Sequence, residues 1–271
     1  MATIDIHTHA FPDSIAKRAI ASLEAGSEWK ALGEGTLSAL LKSMDQADVD
    51  LSVLCTIATK PDQVEGIVKW CKQIRDERIE PLPSVHPKTP EAGRWVRRFA
   101  EEGFIGIKLH PMYQDFAADE TRMDEIYGAA AEAGLFVECH CGRDIAYPPD
   151  DDRATPRRFR NIIDRFPALT LVCTHMGGWR MWDEVEACLL GANVYIETSF
   201  SLAQLGPQRA AEMIRRHGAG KVLFGTDWPW SDQAGELEMV RGMGLSKNEL
   251  AGLLWGNAGR LLKFSEPSAG G

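Results

Sequence analysis

The chain opens with the stretch Thr3-Ile4-Asp5-Ile6-His7-Thr8-His9, which reads as a β-strand ending in two histidines. Alternate side chains of a strand point to the same face, so His7 and His9 project together, with Asp5 one step below them. Two imidazoles side by side can hold a divalent metal, and Asp5 is expected to support them from behind. The pair indicates a metal site only if the rest of the chain brings further ligands to the same place.

Short β-branched and apolar runs alternate with helical patterns along the whole sequence. The predicted strands cover residues 3–9, 51–57, 79–86, 103–110, 135–141, 169–175, 193–199 and 221–227. This alternation indicates parallel βα units in an α/β protein, and their number favours a (β/α)8 TIM barrel. No glycine-rich phosphate motif follows the first strand, which disfavours a doubly wound sheet. We expect one domain over 1–264 and a flexible tail over 265–271.

Composition restricts the function classes. The net charge of −9 argues against a nucleic-acid partner and against binding to an anionic membrane surface. The first strand starts within three residues, which leaves no room for a signal peptide, and no apolar run approaches the roughly 18–20 residues of a membrane span. The six cysteines fall inside predicted strands and helices. We therefore expect a cytoplasmic protein with buried, reduced thiols.

Polar side chains accumulate at the predicted carboxyl ends of the strands, where barrel enzymes carry their active sites. Of the seven histidines, only His217 lies elsewhere, in a helix. The residues at the strand ends are His7, His9, His86, Lys108, His110, Glu138, His140, His175, Glu197, Ser199 and Asp227. Imidazole and carboxylate ligands suit Zn²⁺, Mn²⁺ or Fe²⁺, and a catalytic zinc lowers the pKa of its water towards about 7. Asp227 could take the proton from such a water.

Together these residues form a pattern known from one superfamily. The segments that carry it are Asp5-Ile6-His7-Thr8-His9, Lys108-Leu109-His110-Pro111, His140, Thr174-His175-Met176-Gly177-Gly178 and Phe224-Gly225-Thr226-Asp227-Trp228-Pro229. The pattern resembles the amidohydrolase superfamily, and within it the amidohydrolase-related (amidohydrolase 2) group. That group includes aminocarboxymuconate-semialdehyde decarboxylase and pyrone-dicarboxylate lactonase. The resemblance spans the chain from Asp5 to Pro229.

The resemblance implies a role for each matching position. His7, His9 and His140 match metal ligands, and Asp227 matches the carboxylate that both binds metal and handles protons. His175 matches a histidine that activates water or substrate in mononuclear members and binds a second metal in binuclear ones. The resemblance thus predicts a metal-dependent hydrolase fold with a divalent cofactor. Zn²⁺ is favoured, with Mn²⁺ and Fe²⁺ as alternatives.

Strand four departs from binuclear relatives, which use a carboxylated lysine or a glutamate to bridge two metals. Lys108 and Glu138 each lie two residues before a strand-end histidine on neighbouring strands, so both should face inward. We predict that they form an ion pair, which leaves the lysine unable to carry a carboxylate, and we therefore expect one metal per chain. Cys139 and Cys141 flank His140, and alternation places their sulfurs on the opposite side, in the core.

The loops after the strands should determine the substrate. Arg143 and Arg180 follow strands five and six, and each could bind a substrate carboxylate through a bidentate pair of hydrogen bonds. His110 and Trp228 are further predicted substrate contacts, and the tryptophans of these loops suit a flat, unsaturated or aromatic molecule. The long segment 10–35 could fold over the site as a lid.

The favoured function is hydrolysis of a small carboxylated lactone, ester or amide by metal-activated water, assisted by His175 and Asp227. The first alternative is a non-oxidative decarboxylase of an unsaturated or aromatic acid with the same ligands. A TatD-like nuclease and a non-catalytic binding protein are weaker alternatives, given the acidic charge and the full ligand set. The expected partner is a small carboxylated molecule, and a homodimer is compatible with the sequence.

Overall fold

The computed structural model describes residues 2–264. Its strands are β1 (Ile4–Thr8), β2 (Leu51–Cys55), β3 (Ile79–Leu82), β4 (Gly106–Leu109), β5 (Phe136–Cys139), β6 (Leu171–Cys173), β7 (Tyr195–Glu197) and β8 (Val222–Leu223). Its helices are α1 (Asp13–Ala25), α2 (Leu37–Ala47), α3 (Val64–Ile74), α4 (Ala92–Glu101), α5 (Pro111–Gln114), α6 (Asp124–Ala133), α7 (Pro156–Arg165), α8 (Trp182–Cys188), α9 (Leu202–Leu205), α10 (Pro207–His217), α11 (Gln233–Gly242), α12 (Lys247–Ala251) and α13 (Asn257–Leu262). Every predicted strand is present, which confirms the α/β class.

The observed strands are shorter than the predicted ones because the chain leaves the extended conformation where it presents its polar side chains. His175 and Asp227 both have left-handed backbone conformations, with φ of 59° and 70°, beyond the ends of β6 and β8. The helical segment near the end of the chain also changes character, since α12 ends at Ala251 and a π-helix, Gly252–Gly256, follows it. Apolar patterning marks buried segments, whereas the exact hydrogen bonding depends on tertiary contacts.

The described chain forms two compact units. The first comprises residues 2–54, 77–80 and 197–264, and the second comprises residues 55–76 and 81–196. The boundaries between the units fall within β2, β3 and β7. Each unit therefore contains some complete strands and a part of each of these three.

In the first unit, β1 is buried at all five of its residues. It pairs in parallel with β2, so that Ile4 lies opposite Leu51. It also bonds to the segment that begins with β8, since Ile6 N donates to Phe224 O at 2.9 Å. The ends of β1 and β8 are therefore held side by side, which positions the side chains that follow them.

In the second unit, β4, β5, β6 and β7 are paired in parallel in chain order. Lys108 lies opposite Glu138, and Cys139 lies opposite Cys173. Cys173 in turn lies opposite Ile196 of β7. Parallel pairing of consecutive strands places their carboxyl ends along one edge, as the alternation of strands and helices predicted.

The helices cover the strands with one apolar face. In α3, for example, the buried residues Val64, Val68, Cys71 and Ile74 recur every three or four positions, the spacing of one helical face. No helix within residues 2–264 is long and apolar enough to cross a membrane. The single domain over 1–264 stays a prediction, and the predicted tail 265–271 lies outside the described residues.

Candidate metal centre and active site

Three donor atoms meet at the end of β1. His7 Nε2 lies 3.0 Å from His9 Nε2 and 3.4 Å from Asp227 Oδ1, and His9 Nε2 lies 3.2 Å from the same carboxylate oxygen. Metal–ligand bonds of about 2.0–2.1 Å in tetrahedral geometry place neighbouring ligand atoms about 3.3 Å apart. The three separations therefore fit one triangular face around a divalent ion. The side chains of His9 and Asp227 remain 12% and 13% exposed, so a substrate could reach the ion.

Backbone hydrogen bonds hold the two contributing segments together. Asp227 N donates to His7 O at 2.7 Å, and His9 N donates to Trp228 O at 2.6 Å. The left-handed conformation of Asp227 turns its carboxylate towards the histidines instead of continuing the strand. The arrangement of the three donors is thus fixed by the main chain.

Asp5 supports the same turn from behind, as predicted. Its Oδ1 accepts from Thr226 N at 3.0 Å, while its Oδ2 accepts from Thr226 Oγ1 at 2.6 Å and from Gln233 Nε2 at 2.7 Å. Burial raises the pKa of Asp5 to about 7, and the hydrogen bonds from Gln233 and Thr226 oppose that rise in part. The residue preceding Asp227 is therefore bonded through both its backbone and its side chain to β1.

The second ring nitrogen of His7 has its own partners. His7 Nδ1 lies 3.1 Å from Glu197 Oε1 and 3.1 Å from Ser199 Oγ. Glu197 and Ser199 were placed at the end of strand seven from the sequence, without a role. Their spacing could have indicated a contact with a metal-ligating histidine, because a carboxylate two residues before a strand-end hydroxyl faces the same side of the strand.

In the second unit, His140 and His175 contact each other. His175 Nε2 lies 3.0 Å from His140 Nδ1, and His140 Nε2 lies 3.0 Å from Arg143 O. Burial, followed by the charge of His110, lowers the pKa of His140 to about 3. The ring is thus neutral at physiological pH, which is the form that binds metals.

His110 is paired with a carboxylate that the sequence did not single out. Its Nε2 lies 3.3 Å from Asp144 Oδ2, and its ring stacks on His140 with centroids 4.1 Å apart. Its Nδ1 accepts from Tyr113 N at the start of α5. Burial raises the pKa of Asp144 above its ordinary value. Together, the donor atoms of His110, His140 and Asp144 lie within 4.8 Å of one another.

The predicted ion pair between β4 and β5 is present. Lys108 Nζ donates to Glu138 Oε1 at 2.8 Å, and neither side chain has exposed surface. Cys55 Sγ donates to the same oxygen at 3.1 Å, a contact that the sequence did not suggest. Cys139 and Cys141 are fully buried, in agreement with their predicted place in the core.

The predicted substrate-binding residues differ in environment. Arg143 is half-buried, and its Nε is enclosed without a hydrogen-bond partner among the described residues. Arg180 is exposed, with its guanidinium 4.3 Å from the centroid of the Trp179 ring. Trp228 is buried, with its ring against Gly33, in the segment predicted as a lid. His86 Nδ1 accepts from Lys88 N and belongs to no metal-ligating group of the described chain.

Known proteins resemble this chain in sequence or in fold. The protein γ-resorcylate decarboxylase from Polaromonas sp. is 26% identical over 124 residues, and the match spans 38% of this chain and only 37% of that protein. The crystal structure of a TIM-barrel protein from Bordetella bronchiseptica is 18% identical, with a TM-score of 0.76 over 97% of this chain and 99% of that one. A dihydroxybenzoic acid decarboxylase from Polaromonas sp. JS666, with bound manganese and the inhibitor 2-nitroresorcinol, is 14% identical with a TM-score of 0.70 over 97% of each chain.

The likeness to these solved structures confirms the predicted (β/α)8 fold class. The family model described as amidohydrolase matches residues 4–264, nearly the whole chain. The resemblance inferred from the strand-end motifs is thereby confirmed. This protein belongs to the amidohydrolase family.

Proposed function

We propose that this protein is a metal-dependent, non-oxidative decarboxylase of an aromatic or unsaturated carboxylic acid. The observation that carries the proposal is its similarity to γ-resorcylate decarboxylase, in a chain that holds His7, His9 and Asp227 at metal-ligand separations. The manganese-containing relative, also a decarboxylase, supports the same activity. Hydrolysis of a carboxylated lactone, ester or amide, which the sequence favoured, is not confirmed, and the comparisons support decarboxylation better.

One divalent ion per chain is proposed, held by His7, His9 and Asp227 in the first unit. His140 joins this set on the basis of the sequence resemblance. The ligand types fit Zn²⁺, the favoured ion, and equally Mn²⁺, the metal bound in the Polaromonas decarboxylase. When bound, such an ion would hold and neutralise the oxygens of the substrate.

Side chains of this protein would transfer the proton that decarboxylation requires. Decarboxylation replaces a carbon–carbon bond by a carbon–hydrogen bond: the ring carbon accepts a proton, CO2 leaves, and the electron pair of the broken bond restores the ring. His175 Nε2 and the carboxylate of Asp227 are the proposed proton-handling groups. His175 is held for this purpose by its contact with His140 Nδ1 at 3.0 Å.

Substrate recognition is proposed for His110, Arg143, Arg180 and Trp228. Among these, Arg143 has the most suitable environment, because an enclosed guanidinium nitrogen without a partner gains a hydrogen bond when a carboxylate arrives. A cytoplasmic location and a homodimer stay proposals drawn from the sequence.

The proposal is tested by loading the protein with Mn²⁺ or Zn²⁺ and incubating it with dihydroxybenzoates, muconate-type acids and carboxylated lactones. Release of CO2 with an equal amount of the decarboxylated product would support it. Ring opening of a lactone without CO2 would replace it with the hydrolase. His9→Ala should abolish CO2 release, whereas Asp13→Asn, at an exposed carboxylate of α1, should leave it unchanged.

A further inference from the structure

We propose that Glu197, supported by Ser199, is a positioning residue that sets the metal affinity of the site through His7. The inference rests on the proposed metal centre and goes beyond it, because neither residue is among the predicted ligands or catalytic groups. Glu197 would act on the metal only through the imidazole that it orients.

The contact joins two buried side chains. His7 Nδ1 lies 3.1 Å from Glu197 Oε1, and the exposed fractions of the two side chains are 2% and 0%. Ser199 Oγ lies 3.1 Å from the same ring nitrogen. Both partners reach Nδ1, which leaves Nε2 of the ring directed at His9 and Asp227.

This geometry determines which nitrogen carries the proton. An ionised carboxylate only accepts hydrogen bonds, so the nitrogen that faces it must be the donor. His7 is therefore protonated at Nδ1, and its Nε2 presents a lone pair to the place where the metal would bind. Carboxylates that accept from a metal-ligating histidine in this way fix the ring and raise its basicity.

Glu197 is itself held in one orientation. Its Oε2 accepts from Ser199 N at 2.6 Å, and its Oε1 accepts from Ser199 Oγ at 2.7 Å. Gly225 lies directly against Oε2, so that any side chain at that position would collide with the carboxylate. With both oxygens bonded and one side closed by backbone, the carboxylate cannot turn away from His7.

These contacts make the substitution Glu197→Gln unusually informative. Ser199 N needs an acceptor at the position of Oε2, so the amide oxygen of the glutamine should take that position. The amide NH2 then faces His7 Nδ1 and donates to it. His7 would become protonated at Nε2 instead, and the lone pair that the metal needs would be lost.

The experiment measures Zn²⁺ affinity by competition with a fluorescent chelator and records the His7 tautomer in the metal-free protein by ¹⁵N NMR. Glu197→Gln should weaken Zn²⁺ binding by about 10- to 100-fold and move the proton from Nδ1 to Nε2. Ser199→Ala is a milder change and should weaken Zn²⁺ binding by less than Glu197→Gln does. It serves as the test variant if Glu197→Gln folds poorly. The matched control is Glu80→Gln, another buried carboxyl of the first unit, which should leave both the affinity and the tautomer unchanged.

A purely structural role for Glu197 would lower the melting temperature without moving the tautomer or the affinity, and that result would overturn the inference. Unchanged Zn²⁺ binding by Glu197→Gln would do the same while leaving the proposed decarboxylase intact. A wild-type protein that does not bind Zn²⁺ or Mn²⁺ would instead overturn the metal centre, and this inference with it.

Discussion

Lys108 and Glu138 are direct neighbours across the parallel strands β4 and β5, and their Nζ and Oε1 atoms lie 2.8 Å apart with no exposed surface. The Lys108 nitrogen is thus engaged by the Glu138 carboxylate inside the protein. It is then unable to react with CO2 to form the bridging group of binuclear relatives. The ion pair therefore supports a single metal per chain, and two tightly bound ions would contradict it.

Breaking this ion pair should be costly, because either substitution leaves a buried charge alone. We expect Lys108→Met and Glu138→Gln each to lower the free energy of unfolding by about 3–5 kcal/mol. The double variant Lys108→Met/Glu138→Gln, which leaves neither charge, should lose much less than the sum of the two single losses. Urea unfolding of the three variants gives the comparison, and additive losses would show that the two residues are not coupled.

Glu236 should make the stability of the protein fall between mildly acidic and mildly alkaline pH. Burial, and then the charges of Glu197 and Asp5, raise the pKa of its carboxyl from 4.5 to about 8, and its Oε2 has no hydrogen-bond partner among the described residues. Between these values the folded state keeps a proton that the unfolded chain has lost. The contribution of Glu236 to the free energy of unfolding is therefore greatest below pH 4.5. It falls by up to about 1.4 kcal/mol per pH unit as the pH rises towards about 8.

Glu236→Gln tests this dependence, since the amide imitates the neutral carboxyl and does not titrate. The metal-free variant should match the wild type near pH 5 and exceed it in stability near pH 8 by a few kcal/mol. Denaturant unfolding at several pH values measures the difference. Glu238→Gln, exposed on the same helix, is the control, and parallel pH profiles for wild type and Glu236→Gln would refute the prediction.

Arg143→Met should impair substrate binding more than turnover. Losing a charge-assisted hydrogen bond of about 1.5–3 kcal/mol should raise KM by roughly 10- to 100-fold while kcat changes less. Steady-state kinetics with whichever acid the protein decarboxylates gives both constants. Arg160→Met removes an arginine that is already paired with Asp164 and should leave KM unchanged. An unaltered KM in Arg143→Met would assign carboxylate binding to another residue.

His175→Asn should reduce turnover without removing the metal. General acid–base groups contribute about 10²- to 10⁴-fold to rate, so kcat should fall within that range. The metal content of the purified variant, measured by elemental analysis, should stay at the wild-type level. If the variant loses metal in proportion to activity, His175 is a ligand and the site is of a different type.

Much of the candidate site could be predicted from the sequence because strand geometry is periodic. The two-residue alternation of β1 placed His7 and His9 on one face, and the same rule on neighbouring strands predicted the contact between Lys108 and Glu138. The roles of His140 and His175 stay predictions from the resemblance, and the role of Arg143 stays a prediction from its place in the loop after strand five.

The contacts that were missed depend on loops and on pairs far apart in the sequence. Asp144 reaches His110 from an irregular loop, for which no periodic rule applies. Glu197 and His7 are 190 residues apart, and Cys55 meets Glu138 although neither belongs to a recognisable motif. The left-handed turns at His175 and Asp227 were also unpredictable, because they arise from tertiary contacts and because positive φ is uncommon for any residue other than glycine.

The hydrogen bonds between Asp5 and Thr226 join residues 221 positions apart. During synthesis the two histidines of β1 leave the ribosome early, long before the carboxylate of Asp227 exists. The growing chain therefore presents only part of the proposed ligand set, and the proposed metal centre can be completed only after the last strand has been released. We expect the metal of the proposed centre to be selected by ion availability and by ligand geometry at that moment, since most sites share the same order of affinities for divalent metals.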